Sequence, residues 1–200
     1  MITFHSQKLH PALPFDEYLR LPGVSHSFVK YQQNGVVPYK EVTDKMKLGS
    51  LVDAILTEPS KVDQNDPQYR AAYRIAAHIT QEYGDMIRFL LPQQSYSGVM
   101  AMNNMELEVC GRLDWLLPGH AVIDLKVTGA KDDKQFRTLI EYMGYQNQLF
   151  NYAGLAGVNR AYILPYSTVA KRCLSIVNVP VGGRNEFWEK AILMHGRAVV

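Results

Sequence analysis

Only two cysteines, Cys110 and Cys173, occur among the 200 residues of the chain. Two are too few for a disulfide framework, and they lack the paired spacing of zinc or four-cysteine iron–sulfur sites. A reducing, cytoplasmic setting is the expectation, without an iron–sulfur cluster. Long hydrophobic runs are also missing: no stretch approaches the roughly 18 apolar residues that a bilayer crossing requires. Met1–Arg20 has no charged start followed by an apolar run, so no targeting segment and no membrane partner are expected. Charge of one sign is absent too. The 21 Lys+Arg against 19 Asp+Glu leave a net charge of +2, so any basic surface must be local. Repeats and low-complexity tracts are not seen, and the proline-containing stretches at 11–22 and 36–39 are short.

What is present is the composition of an ordinary globular protein, 47% hydrophobic and 20% charged. The length suits one domain with a substantial core, spanning 1–200. Within it the pattern predicts an N-terminal arm over 1–40, a core over 45–180 and a C-terminal helix over 185–200. Ser25 or Ser27 can cap a short helix that stops near Asn34-Gly35. Leu48, Leu51, Val52, Ile55 and Leu56 recur at helical spacing until Glu58-Pro59, and a second helix is expected across Tyr69–Leu91, closed by Pro92. Its tyrosines Tyr69, Tyr73 and Tyr83 read as core packing.

The period then changes. Segments at Gly98–Met102, Met105–Cys110, Arg112–Leu117 and Ala121–Val127 read as strands, with Asn103-Asn104, Gly111 and Pro118-Gly119 as turns between them. Helical spacing returns over Lys134–Ala156, interrupted only by Gly144. Strands at Ala161–Tyr166 and Cys173–Val179 and a tail helix from about Asn185 follow. The order α-β-β-β-α-β predicts an α/β fold with a central mixed sheet flanked by helices, because a crossover helix lets such a sheet bury both faces.

Two neighbouring predicted strands carry Gly111-Arg112-Leu113-Asp114 and Asp124-Leu125-Lys126. Strand alternation puts Asp124 and Lys126 on one face, in otherwise apolar surroundings. Such a charged pair suits metal-assisted phosphodiester chemistry: Asp114, Asp124 and the Leu125 carbonyl offer the oxygen ligands that Mg²⁺ prefers, and Lys126 faces the attacking water. The competing reading is a plain ion pair at a strand end. Asp53, one helical turn beyond Gly49, is either a third acidic ligand or a solvated helix residue. Gln148 and Tyr152, four apart and with Tyr145 on the same side, form a polar stripe that either serves the site or satisfies the core. The polar helix start at Ser25-His26-Ser27, running on to Lys30, suits a phosphate. The six histidines show no zinc-protease or deaminase spacing and read as structural or exposed.

In this order the fragments resemble the RecE-type (exonuclease VIII) branch of the PD-(D/E)XK nucleases, a superfamily that includes RecB nuclease domains and lambda-type exonucleases. The match runs from about Leu21 to Val179. Its Ser-X-Ser arm stands here as Ser25-His26-Ser27, its Gly-X-X-X-His helix as Gly49-Ser50-Leu51-Val52-Asp53, and its Leu-Glu-Pro as Leu56-Thr57-Glu58-Pro59. The Gly-Arg-X-Asp strand, the Asp-X-Lys strand and the Gly-Tyr-X-X-Gln-X-X-X-Tyr helix stand as 111–114, 124–126 and 144–152. The resemblance implies a restriction-endonuclease-like core in which Asp114 and Asp124 bind Mg²⁺, with Mn²⁺ as a substitute. It implies that Lys126 positions or activates water and that Gln148 and Tyr152 support the site.

Ser25, Ser27, Lys30, Arg112 and Thr128 are candidate substrate contacts. One position departs from the family: Asp53 replaces its histidine, and a carboxylate cannot supply a neutral imidazole ligand. Relatives of this type act as oligomers on linear double-stranded DNA from 5′ ends and hand the remaining strand to an annealing protein. The implied activity is therefore 5′ to 3′ exonucleolytic end processing for phage- or prophage-type recombination, by a homo-oligomer. An endonuclease of the same fold is one alternative. A decayed DNA-binding relative, holding phosphates through Lys131, Lys134, Lys171 or Arg172, is another.

Overall fold

The computed structural model describes residues 1–11, 13–33 and 43–199. An eight-stranded sheet is built in the order β1 (Thr3–His10), β2 (Leu91–Met102), β3 (Met105–Leu117), β4 (Ala121–Thr128), β5 (Ala161–Ser167) and β6 (Arg172–Cys173). The short strands β7 (Val177–Val179) and β8 (Arg197–Ala198) pair with β5 and β3. All pairings are antiparallel except β4 with β5. That parallel pair requires a crossover, supplied by α5 (Asp133–Met143) and α6 (Tyr145–Ala156). The fold is thus the expected mixed sheet flanked by helices.

Helices cover both faces. One apolar cluster joins Leu113, Val122, Phe136, Leu149 and Trp188, and so packs α5, α6 and α7 (Glu186–His195) on one side. The other joins Val52, Ile75, Ile79, Trp115, Ile123 and Leu125, from α3 (Asp44–Thr57), α4 (Tyr69–Ile87) and the opposite side of the same strands. Val122 therefore faces one cluster and Ile123 and Leu125 the other, which leaves Asp124 and Lys126 on the Val122 side, as alternation requires.

Several boundaries differ from expectation. The stretch read as an arm opens with a strand, β1, paired along β2, before the short helices α1 (Phe15–Tyr18) and α2 (His26–Gln33). Ser25 caps α2, accepting from the Phe28 N–H at 3.3 Å; the expected stop at Asn34-Gly35 lies outside the described residues. The second long helix ends at Ile87 rather than Leu91, and β2 starts at Leu91, with Pro92 inside its first turn of pairing. Tyr73, expected in the core, is 56% exposed. Gly111 makes no turn, because β3 runs through it unbroken. The glycine is needed for another reason: an added Cβ would lie 2.9 Å from the Tyr152 ring. At Gly144 the crossover breaks into two helices, since that residue takes a left-handed φ of 69°. The last predicted strand is split into β6 and β7. No helix of the described residues is long and apolar enough to cross a membrane.

Candidate metal and phosphodiester site

The sheet opens where β3 and β4 part. Their pairing lasts for Leu117↔Ala121, Leu116↔Val122 and Trp115↔Ile123 only. Two residues beyond Ile123, the Leu125 N–H no longer pairs with β3 and donates instead to Asp114 Oδ2 at 2.9 Å. β4 meanwhile continues with β5 as far as Thr128. The gap receives Asp114 from one strand and Asp124 and Lys126 from the other. Asp124 is 1% exposed, and its Oδ2 meets the Lys126 ammonium, whose side chain is 19% exposed. Lys126 Nζ also lies 5.0 Å from the Tyr145 ring centre, a cation–π contact from the start of α6.

Asp53 reaches the gap from α3, which lies against β4 where a Cβ on Gly49 would touch Val127. It is not the solvated helix residue of the competing reading. Burial lifts its carboxyl to about 6; Asp124 pushes further in the same direction, while Gln93, Lys126 and Arg112 oppose. Burial likewise raises Asp114 well above the usual carboxylate range, with Asp124 and Asp53 adding to it. For Lys126 burial works against the charge, but Asp124 and Asp114 outweigh it and hold the ammonium above its ordinary value. The three carboxylates and one ammonium thus sense one another in a largely dry space.

Among the described residues no three His, Cys, Asp or Glu side chains stand together as a ready chelating group. Asp124 is turned to Lys126 and Asp114 to the Leu125 N–H. The donor chemistry nonetheless fits a hard divalent cation. Among the described residues Asp53 Oδ1 and Asp124 Oδ1 are buried without a hydrogen-bond partner, and one ammonium cannot balance three carboxylates.

Two cavities flank the cluster and share Phe15, His26, Ser27 and Ser50 in their walls. One, of about 510 Å³, is lined by Asp53, Glu58, Asp114, Arg112 and Tyr152. The other, of about 840 Å³, is lined by Lys30, Lys45, Lys126, Thr128 and Gln148, with no carboxylate among the described residues of its wall. The candidate residues therefore gather around one opening, but several are engaged within the protein. Gln148 Nε2 donates to the Tyr152 hydroxyl at 2.9 Å, and burial raises that tyrosine well above its ordinary range. Lys30 Nζ donates to Met143 O at 2.7 Å, at the end of α5. Arg112 is bound to Gln93 Oε1 at 2.6 Å and Leu13 O at 2.7 Å. Ser25 is occupied as a helix cap, Ser27 is exposed, and Thr128 Oγ1 accepts from the Ala130 N–H at 3.2 Å.

One neighbour of the cluster escaped the sequence reading, and another was read as structural or exposed. Gln93 lies in β2, in the stretch between Pro92 and Gly98 that the pattern assigned to no element, and no periodicity marks it. His26, the middle of Ser25-His26-Ser27, is 7% exposed; burial, with Lys30 and Lys126, lowers it to about 4 and keeps it neutral.

No protein-family model matches the chain, and no curated protein matches it in sequence. Its fold overlaps in part with solved structures. A protein from Eubacterium rectale, named provisionally as an exonuclease, shares 17% identity at a TM-score of 0.47, over 82% of this chain and 67% of that one. A phage-related exonuclease from Haemophilus somnus shares 15% identity at a TM-score of 0.43, over 86% of this chain and 90% of that one. At this level of overlap, the case for a function rests on the side chains.

Proposed function

We propose that the chain is a divalent-cation-dependent deoxyribonuclease that hydrolyses phosphodiester bonds at the opening between β3 and β4. The observation that carries this reading is a buried lysine ammonium, paired with Asp124 and set beside Asp114 and Asp53, where two strands part. Asp53, Asp114, Asp124 and the Leu125 carbonyl would hold Mg²⁺, or Mn²⁺ in its place. When bound, such an ion polarises a phosphoryl oxygen and lowers the pKa of coordinated water.

Lys126, kept protonated by Asp124 and Asp114, acts by charge and hydrogen bonding rather than as a base. Its ammonium orients the attacking water and offsets charge that builds on the phosphate. Tyr152 and Gln148 keep the wall of the opening in place, and the lysine-lined cavity beside it suits the phosphates of a strand. The resemblance in motif order refines the proposal to 5′ to 3′ digestion of linear double-stranded DNA from its ends, by a cytoplasmic homo-oligomer that serves recombination alongside an annealing protein.

A decayed, DNA-binding relative is the second reading, favoured by the lack of a ready chelating group and by Asp53 at the family's histidine position. End-labelled linear duplex and closed circles, incubated with wild type and Lys126→Ala in the presence and absence of Mg²⁺, separate the readings. Metal-dependent digestion of linear duplex by wild type is expected, with loss of about 10² or more in Lys126→Ala. Nicked circles would point to an endonuclease. Equal rates in the two proteins would refute the assignment, and salt-sensitive binding without cleavage under either metal would favour the decayed relative.

A further inference from the structure

Gln93 is the most constrained side chain beside the cluster. Its φ of 50° lies in the left-handed region that L residues other than glycine avoid. Pro92 pairs with Trp115 and Gln94 with Leu113, so Gln93 falls opposite Asp114, and the register continues past it without a shift. In this position both ends of its amide are used. Oε1 accepts from Arg112 Nε at 2.6 Å, and Nε2 donates to Asp53 Oδ2 at 2.5 Å. A guanidinium can only donate and an ionised carboxylate only accept, so the amide has one orientation that satisfies both. Arg112 is fixed in turn by Leu13 O. Asp53 Oδ1, the other oxygen of the same carboxylate, is buried with no partner. Repulsion from Asp124 and Asp114 would favour turning Asp53 away, and the Gln93 amide is its one hydrogen-bonded tether among the described residues.

We propose that Gln93 is a positioning residue that ties back one oxygen of Asp53, so that the other stays free and directed to a cation held with Asp114 and Asp124. This rests on the metal-site reading above.

The test is Mn²⁺ binding to the full chain without DNA, read from the electron paramagnetic resonance of the free ion. Wild type, Gln93→Leu, Asp53→Asn and the double variant form a cycle. Loss of a residue that orients a ligand weakens binding by about 10- to 100-fold, which is the expectation for Gln93→Leu. In the Asp53→Asn background the same change should cost less than about 2-fold, since nothing remains to be oriented. Gln93→Gly, which relaxes the backbone while deleting the amide, should bind as weakly as Gln93→Leu, and it supplies the answer should the leucine variant not fold. Wild-type affinity in either Gln93 variant, or an equal loss in both backgrounds, overturns the proposal. Wild type that takes up no Mn²⁺ overturns the metal reading itself, a result distinct from binding that ignores Gln93.

Discussion

Asp53 illustrates how surroundings alter a single side chain. An ordinary aspartate titrates at 3.8, and here burial lifts it to about 6. Below 3.8 it is protonated whether the chain is folded or not, and it costs nothing. Between those values the unfolded chain releases its proton while the folded one retains it, so stability falls as pH rises, and the loss persists above 6. His26 works in the opposite sense, from 6.5 down to about 4, with stability lost as pH falls. Asp53→Asn removes only the first effect. With metal chelated, the melting curve of Asp53→Asn should therefore gain on that of wild type as pH is raised from about 4 to 6, by on the order of 1–3 kcal/mol. A difference that does not change with pH would mean that Asp53 is not held protonated. On the proposed metal reading the same substitution should cost activity with Mg²⁺ present, since a ligand oxygen would be lost.

At the scale of elements, the site depends on how α6 lies against β3. Asn151 Nδ2 donates to Cys110 O at 3.1 Å from a fully buried position, and the Tyr152 ring rests on Gly111. A methyl group at 111 would meet Tyr152 carbons at 2.9 and 3.0 Å and Leu155 at 3.1 Å, so the Tyr152 ring, or the helix or strand that carries the contact, must shift. Gly111→Ala should lower stability by about 1–3 kcal/mol in denaturant titration, as other overpacked cores do. It should also reduce cleavage by moving Tyr152 and Gln148 away from the opening. A neutral outcome in both measurements would show that the helix can slide freely. Sequence pattern made Gly111 a turn because glycine between two apolar runs is the usual sign of one. That strand and helix meet there is a fact of packing between residues about forty positions apart, which no local signal carries.

For the molecule as a whole, a cation bound at the cluster should stabilise the native state alone. At about 100 times its dissociation constant, Mg²⁺ adds roughly 2.7 kcal/mol. For a domain of this size that amounts to about 5–10 °C in Tm. Calorimetry at neutral pH checks it, and the gain should shrink as acid protonates Asp53 and Asp114 and the ligands are lost. No shift at any pH would count against a metal centre.

The sequence by itself determined the face shared by Asp124 and Lys126, the amphipathic stripes of α3 and α4, and the crossover that makes β4 and β5 parallel. These follow from periods of two and 3.6 residues, which are local. Only the tertiary structure decided that β3 and β4 part at Asp114, that Asp53 is buried beside them, and that Gln93 takes a left-handed φ within β2 and bonds to it. Those features arise where distant segments compete for the same space and the same hydrogen bonds, and their energies exist only once the chain has closed on itself.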